Sequence, residues 1–234
     1  DGTITRFGGK TMDSEGYDFL GLITGSEGLL GVVTEVTVKI LRTPEVIKAA
    51  LIGFPSIEDA GNCVAEIIAK GCIPAGMEIM DKALLKATND FCKAGYPTDA
   101  EAMMIVEFDG NEFEVETYIK TAEKIAKANN SSSLKISKSD EERLKFWAGR
   151  KAAFPACGVL APDYMCMDGS IPRGKLAEVL NEISRLSKKY NLPVANAFHA
   201  GDGNLHPLIM FDANDKKSLR KCEEFGADIL KYCV

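Results

Sequence analysis

The sequence predicts an α+β fold in which helices pack on one face of a ferredoxin-like antiparallel sheet. Two observations support this prediction. From residue 46 onward, short runs rich in apolar and β-branched residues alternate with longer amphipathic segments, the pattern of strands separated by helices. The connections mix hairpins with helical crossovers, which favours helices gathered on one side of the sheet. Hydrophobic residues make up 46% of the 234 positions, which is ample for a buried core.

The first part of the chain differs from the rest. "TITRFGG" predicts part of a hairpin, and residues 32–40 alternate β-branched side chains in a period of two, which predicts a strand. Arg42, Thr43 and Pro44 interrupt that pattern, so we place a domain boundary near 43–45, between domains 1–44 and 45–234. The chain begins without Met and stops within a helical pattern, so we expect it to be a piece of a longer polypeptide.

After the boundary the elements follow in a regular order. Ser56 and Asp59 open the first helix, whose apolar positions share one face. The predicted strands are 46–54, near 73–80, 101–109, near 133–137, 164–170 and two around residues 196–211; the predicted helices are 56–68, near 82–94, 111–129, 139–154, 173–189 and 214–233.

Composition excludes several classes of protein. The net charge is −6 and the basic residues are scattered among acidic ones, so no surface is built for nucleic acid. No apolar stretch is long enough to span a bilayer. The seven cysteines show no C-x-x-C pair or regular spacing, which predicts reduced thiols, mostly small core side chains, in a cytoplasmic protein.

The only two histidines lie within "NAFHAGDGNLHPLIMF", residues 196–211. If Asp202-Gly203 forms a two-residue type I′ turn, His199 faces His206 across the hairpin, with Cβ atoms about 5 Å apart. Two imidazoles so placed suit a shared metal ion, with a third ligand, most naturally a carboxylate, from elsewhere. Alternatively, the two rings stack only to stiffen an exposed hairpin.

A second motif, "TGSEGLLGVVTE", places Gly25, Gly28 and Gly31 ahead of the predicted strand. Glycines at this density let the backbone approach a ligand closely and let exposed amides meet an anion. The pattern is unlike a dinucleotide-binding G-x-G-x-x-G, which follows a strand and opens a helix. An ordinary glycine turn remains the alternative.

With these motifs the chain resembles the FAD-linked 2-hydroxy-acid oxidases and dehydrogenases of the vanillyl-alcohol-oxidase type. "TGSEGLLGVVTEVTVKIL" resembles the end of that family's FAD-binding domain. "FWAGRKAAFPACGVLAPDYMCMDGSIPR" and "VANAFHAGDGNLHPLIMFDAN" resemble two stretches of its substrate domain, or cap. The resemblance extends from about residue 16 to the end. It implies that 1–44 is the C-terminal part of an FAD-binding domain and that 45–234 is a substrate domain truncated at its C-terminus.

The resemblance also implies roles for individual residues. His199 and His206 match ligands of a divalent metal (Zn, Mn or Fe), while the third ligand, a glutamate, and a histidine proposed as base belong to a downstream Gly-Glu-His-Gly motif outside this chain. Arg150 matches an arginine that pairs with the substrate carboxylate, for which a guanidinium fork is well shaped. A surface salt bridge within helix 139–154 is its alternative role.

The substrate implied is a small D-2-hydroxy acid. Relatives acting on a dicarboxylate carry polar residues where this chain has Phe154, Cys166 and Leu208, so a short monocarboxylate such as glycolate or D-lactate is expected. Alternatively, these three residues only pack the core.

The implied FAD contacts are largely through backbone atoms, and Leu29 replaces a threonine common in relatives. The residues concerned are Glu27, Gly28, Leu29, Leu30, Gly31, Val32 and Val33. Because the glycine-rich segment expected to wrap the FAD pyrophosphate is absent, we expect these 234 residues alone to bind FAD poorly and to be inactive.

The resemblance implies that the parent protein oxidises the hydroxy acid to the 2-oxo acid. It also implies that electrons pass to a partner subunit, an iron–sulfur protein, through which the enzyme would be peripheral to a membrane. Two other functions stay open: a metal- or ligand-binding α+β module without redox chemistry, and an FAD-linked lyase or synthase on the same scaffold.

Overall fold

The computed structural model describes residues 2–11, 13 and 16–234. The chain divides into two compact units, Asp1–Thr43 and Pro44–Val234. Unit 2 contains nearly all of the regular structure.

Unit 2 alternates strands and helices as the sequence pattern predicts. After α1 (Phe19–Ile23) in unit 1, its elements are β1 (Val46–Phe54), α2 (Ile57–Ala69), β2 (Gly76–Asp81), α3 (Lys82–Cys92), β3 (Ala102–Gly110), α4 (Glu112–Ala128), β4 (Ser133–Ile136), α5 (Asp140–Lys151), α6 (Ala153–Ala156), β5 (Asp163–Cys166), β6 (Gly169–Ser170), α7 (Leu176–Tyr190), β7 (Val194–His199), β8 (Asn204–Leu205), β9 (Pro207–Phe211) and α8 (Lys216–Cys233).

All strand pairs in unit 2 are antiparallel. The order β4-β1-β3-β2 at one end, with α2 between β1 and β2 and α4 between β3 and β4, is a ferredoxin-like arrangement. On the far side of β2 the sheet continues through β7, which pairs with both β8 and β9. The α+β prediction is confirmed.

The helices lie on both faces of the sheet, so the expectation of one face is wrong. On one face, helices α2, α4, α7 and α8 pack on strand residues such as Ile52, Met104 and Phe198. On the other face, α3, α5 and α6 pack on the alternate residues, such as Leu51 and Met103. The central strands are apolar on both faces, and that composition requires a helical layer on each side.

Helix starts follow side-chain caps that can be recognised in the sequence. Ser56 accepts a hydrogen bond from the Asp59 amide at 3.0 Å and opens α2. Asp81 caps α3 through the Leu84 amide at 3.0 Å, and Asn111 caps α4. Each cap satisfies an amide that the first helical turn leaves without a partner.

Unit 1 differs from its prediction. Residues 3–9 and 32–40 form no strand; the regular element described in this unit is α1. Val32 and Ile40 are almost fully exposed. A period-two pattern supplies a strand's faces but not the neighbouring backbone that its ladder needs, and no strand lies among the described residues of this unit to provide it.

The seven cysteines are all unpaired, as expected. Cys63, Cys72, Cys157 and Cys222 are buried, and burial raises the pKa of the Cys63 thiol to about 12 and of Cys157 and Cys222 to about 11. In the described part of the chain, no helix combines the length and apolar character needed to cross a membrane.

Candidate functional site

The candidate site lies on the face of the sheet covered by α3, α5 and α6. Glu78 on β2 and His199 on β7 are directly opposed in the antiparallel register. Side chains of opposed residues project from the same face. Glu78 shares that face with Met80, whereas Met77 and Ile79 point into the other core. The sheet therefore places an acid beside an imidazole among apolar neighbours.

Helix α5 brings Arg150 to the same place. The Arg150 guanidinium donates to Glu78 Oε2 from Nε at 3.1 Å and lies 3.0 Å from it through Nη2. Both side chains are only 10% exposed. Arg150 thus pairs with a strand of the sheet, not with another residue of its own helix, and the surface salt bridge considered as its alternative is not what the structure contains.

A second carboxylate contacts α5 about one helical turn on the N-terminal side of Arg150. Glu107 on β3 accepts from Trp147 Nε1 at 2.7 Å and from Arg143 Nη1 at 3.1 Å. Arg143, Trp147 and Arg150 are spaced four and three residues apart, so they share one face of the helix. Two strand carboxylates therefore dock this helix.

Close packing at Gly149 fixes how near α5 lies to Tyr96. A Cβ built on Gly149 would lie 2.5 Å from the Tyr96 ring, and the Tyr96 hydroxyl donates to the Phe146 carbonyl. Only a residue without a side chain allows this approach. Burial raises the pKa of the Tyr96 hydroxyl, which keeps it protonated as a donor. Arg150 is the next residue after Gly149, so this close packing also fixes the position of its backbone.

The two histidines are neighbours, but through a different register from the one predicted. His199 pairs with Asn204, and Asn196 pairs with Pro207. That register places His206 across from Ala197, diagonal to His199 on the same face. The ring centroids are 5.1 Å apart and the rings are nearly perpendicular, at 88°.

The predicted type I′ turn is wrong because it requires positive φ at both central residues. Gly203 has φ 81°, but Asp202 is not among the positive-φ residues. The turn spans residues 200–203, and the Gly203 amide donates to the His199 carbonyl at 3.2 Å. The Asp202 carboxylate accepts from the Asn204 amide at 3.0 Å, an Asx-type interaction that substitutes for the tighter turn.

Each histidine has a carboxylate near its Nδ1 atom. His199 Nδ1 lies 2.6 Å from Glu78 Oε1, and His206 Nδ1 lies 3.9 Å from Asp168 Oδ1. The His199 side chain is 45% exposed and that of His206 14% exposed. A carboxylate that accepts from Nδ1–H leaves the lone pair on Nε2, which is how many metal-binding histidines are oriented.

The His199 and His206 side chains are of a chemical type that can ligate a divalent metal. Imidazole nitrogen is a good ligand for Zn, Mn or Fe. Across residues 2–11, 13 and 16–234, no cluster of three or more His, Cys, Asp or Glu side chains is placed to hold a metal ion. The donor set is thus a histidine pair with one supporting carboxylate, Glu78, and a third ligand would have to come from outside it.

The three positions linked to substrate size differ in their surroundings. The half-buried Phe154 ring lies 6.3 Å from the His206 ring and 6.5 Å from that of Tyr164. Leu208 is fully buried in the core of this face, whereas Cys166 is exposed. Leu208 therefore packs in the core, which was the alternative considered for it. Phe154 places an apolar ring beside His206.

The residues predicted to contact FAD, Glu27 to Val33, lie in unit 1. Glu27 has φ 50° and Gly28 has φ 81°, and a Cβ built on Gly28 or Gly31 would meet no atom within 4 Å. The backbone here is open to a ligand on that side. Backbone contacts to FAD fit this segment and remain a prediction.

Sequence analysis missed Glu78 as a site residue. One signal was available: an acidic residue in the middle of the apolar strand "GMEIMD". An ionised side chain is almost never buried without a partner. That signal indicates a buried pair but does not say which of the basic residues forms it.

Known proteins resemble this chain in sequence and fold. A family model described as "FAD linked oxidases, C-terminal domain" matches residues 43–234. The glycolate oxidase subunit GlcD of Escherichia coli (strain K12) is 50% identical over 234 residues, covering 100% of this chain and 47% of that protein. The mitochondrial D-lactate dehydrogenase [cytochrome] of Arabidopsis thaliana is 31% identical over 229 residues, covering 97% and 40%. The chain thus spans half or less of the length of these relatives.

Among solved structures, an alkyldihydroxyacetonephosphate synthase superposes with a TM-score of 0.67 at 16% identity, covering 93% of this chain and 45% of that one. Likeness at this identity extends to the fold alone.

Proposed function

Because the chain belongs to the family of FAD-linked oxidases, through their C-terminal domain, we propose that it binds substrate within a flavoenzyme that oxidises a small D-2-hydroxy acid, glycolate or D-lactate, to the 2-oxo acid. The observation that carries this proposal is the row Arg150, Glu78, His199 and His206 on one face of the sheet. It combines a cation shaped for a carboxylate with a pair of potential metal ligands.

Arg150 binds the substrate carboxylate in this proposal. A guanidinium carries five donors in a plane, and Glu78 contacts only the edge formed by Nε and Nη2. The edge that includes Nη1 can take a second carboxylate with two parallel hydrogen bonds. The buried, docked helix keeps the fork in place, so little rotamer entropy is lost when substrate binds.

His199 and His206 hold a divalent metal beside that carboxylate. His199 and His206 would hold the ion, and the chemistry it would supply there is Lewis-acid activation of the substrate hydroxyl. In this proposal the third ligand and the base that takes the hydroxyl proton are groups other than His199 and His206. The apolar ring of Phe154 beside His206 favours a short side chain without a second carboxylate.

The segment from Glu27 to Val33 contributes backbone contacts to FAD, which, when bound, accepts the hydride from the substrate Cα. Together with the proton leaving the hydroxyl, this accounts for the two electrons and two protons lost by the acid. The word "subunit" in the name of the Escherichia coli relative supports a multi-subunit enzyme. An iron–sulfur partner, a cytoplasmic location and attachment to a membrane through partners remain predictions.

The test is anaerobic mixing of the full-length flavoprotein with glycolate or D-lactate while flavin absorbance is followed. We expect one of the two acids to bleach the flavin. Arg150→Lys keeps the positive charge but loses the planar guanidinium, so kcat/KM for flavin reduction should fall about 10- to 100-fold. Arg220→Lys, an exposed arginine paired along α8, is the matched control and should change nothing.

A colourless protein would contradict the proposal in favour of a ligand-binding module. A flavoprotein that neither acid bleaches would favour a lyase or synthase.

A further inference from the structure

Glu78 lies between the two groups that the proposed function uses. Its Oε1 atom is 2.6 Å from His199 Nδ1, and its Oε2 atom accepts from Arg150. We propose that Glu78 is a positioning residue that sets both the tautomer of His199 and the orientation of Arg150. This inference rests on the proposed function for its use, although the contacts themselves do not.

The tautomer follows from the chemistry of the carboxylate. An ionised glutamate only accepts hydrogen bonds, so a neutral His199 must present Nδ1–H to Oε1. The lone pair then lies on Nε2, at the opposite side of the ring, available to a metal. The second oxygen accepts from the guanidinium, so the carboxylate, at 10% exposure, has a charged partner in the protein.

The orientation of Arg150 follows from the same contact. With Nε and Nη2 on one oxygen, the plane of the fork is fixed and its other edge points away from Glu78. One carboxylate therefore aims a carboxylate-binding cation and a metal-binding imidazole together. Removing it would disturb both, whereas an independent structural salt bridge would affect only the helix.

The backbone under Glu78 resists adjustment. Three residues along β2, Asp81 accepts from both the backbone amide of Asn196, at 2.7 Å, and its side-chain amide, at 2.9 Å. This fastens β2 to β7 on the side of the Glu78 and His199 pair nearer the start of β7. Strand β2 cannot shift relative to β7 without breaking these hydrogen bonds. The effect of Glu78 on His199 and Arg150 therefore comes from its carboxylate and not from movement of the backbone.

Glu78→Gln gives a sharp test because the amide has one acceptor and one donor end. Two donors of Arg150 face the Oε2 position, so the amide oxygen should take that side and the NH₂ group should face His199. His199 Nδ1 must then accept, and the proton moves to Nε2. The substitution keeps shape but reverses the tautomer.

The readout is nitrogen NMR of the ¹⁵N-histidine-labelled protein, at a pH where both imidazoles are neutral. Comparison with the His199→Gln and His206→Gln variants assigns the two signals in the full-length protein. We expect Nδ1–H in wild-type His199, Nε2–H in Glu78→Gln, and an unchanged His206. Glu107→Gln, the other carboxylate that docks α5, is the matched control and should leave His199 unchanged.

Calorimetric titration of the full-length protein with Zn²⁺ or Mn²⁺ alone gives a second readout. Glu78→Gln should weaken metal binding about 10- to 100-fold, the usual effect of removing the partner of a ligating histidine. Glu78→Asp, which keeps the charge, should restore the wild-type tautomer and recover part of the affinity.

Wild-type His199 protonated on Nε2, or a folded Glu78→Gln variant with wild-type tautomer and metal affinity, would overturn the inference. The first result needs no variant, so a variant that does not fold leaves the test intact. Failure of the proposed function looks different: the wild-type protein would bind no metal and leave the flavin oxidised, while the tautomer of His199 would still follow Glu78.

Discussion

The two faces of the sheet in unit 2 are built from the same strands and differ in what they bury. On the face under α2, α4, α7 and α8, most buried side chains are apolar, such as Ile52, Met104 and Phe198. The face under α3, α5 and α6 mixes apolar residues with Glu78, Arg150 and Glu107. Neighbours on one strand, Phe198 and His199, belong to opposite faces. Strand alternation thus separates a layer for stability from a layer that can carry chemistry on one rigid backbone.

The helices of the two faces are held differently. Helix α2 packs through Ala60, Val64 and Ile67, which are fully buried. Helix α5 packs through the buried Phe146 and, in addition, hydrogen-bonds to Glu107 and Glu78. Apolar packing tolerates small displacements, but hydrogen bonds are directional, so the second kind of docking fixes a side chain such as Arg150 in orientation as well as in position.

The largest effect should come from the apolar face. Phe198→Ala removes a fully buried ring and should lower the free energy of unfolding by about 3–5 kcal/mol, because it loses burial and leaves a cavity. Urea denaturation measures it. Ile79→Val, on the same face, should cost about 0.5–1.5 kcal/mol. A cost for Phe198→Ala below that expected for Glu107→Gln on the other face, about 1–2 kcal/mol, would contradict the division between the faces.

A half-buried acid at the end of β2, Asp81, should make stability depend on pH. Burial raises the pKa of Asp81 to about 6, even though backbone and Asn196 hydrogen bonds oppose the shift. The folded state therefore holds this proton more tightly than the unfolded state does. The contribution of Asp81 to the free energy of unfolding is fully present below the ordinary pKa of an aspartate, about 4, and is lost as pH rises through about 6. Its size is at most about 3 kcal/mol.

The change of stability with pH is measured from denaturation midpoints between about pH 3.5 and 7, roughly the range that includes the unfolded-state and folded-state pKa values of Asp81. Asp81→Asn does not titrate and should lack it, whatever its own stability. Asp109→Asn, an exposed carboxyl at the end of β3, should retain the wild-type slope. If Asp81→Asn also retained it, another group would be responsible.

Weakening the docking of α5 should have an intermediate effect. Glu107→Gln keeps an acceptor for Trp147 but loses the charge opposite Arg143, so we expect a loss of about 1–2 kcal/mol in the free energy of unfolding. Because Arg150 lies on the same helix face, KM for the hydroxy acid should rise more than kcat falls. An unchanged KM with reduced stability would mean that Glu78 alone positions Arg150.

Much of the fold could be predicted because its signals are local. Strand β1 and the Ser56 cap of α2 were found from a β-branched run and a capping pattern. The strand predicted at 32–40 shows the limit of such signals, because pairing depends on a neighbouring backbone that the pattern does not describe. The placement of helices on both faces likewise depends on burial across several strands.

The candidate site could be predicted only in part, for the same reason. The nearness of His199 and His206 follows from their spacing in a hairpin, and it tolerates the error in register because both registers leave the rings on one face. The contact between Glu78 and Arg150 joins residues 72 positions apart. Nothing local in either segment specifies that pairing; the sheet order does.

The smallest effect tests whether charge or burial distinguishes the two faces. Lys86→Ala removes an exposed ion pair with Asp90 on α3, a helix of the polar face, and Lys127→Ala removes the equivalent pair with Glu123 on α4, on the apolar face. Water and salt screen both pairs, so each substitution should change the free energy of unfolding by less than about 0.5 kcal/mol. Thermal denaturation of the two variants side by side measures the difference. A clearly larger loss for Lys86→Ala would mean that the polar face depends on its surface charges, whereas equal small losses would leave the buried carboxylates Glu78 and Glu107 as the groups that set it apart.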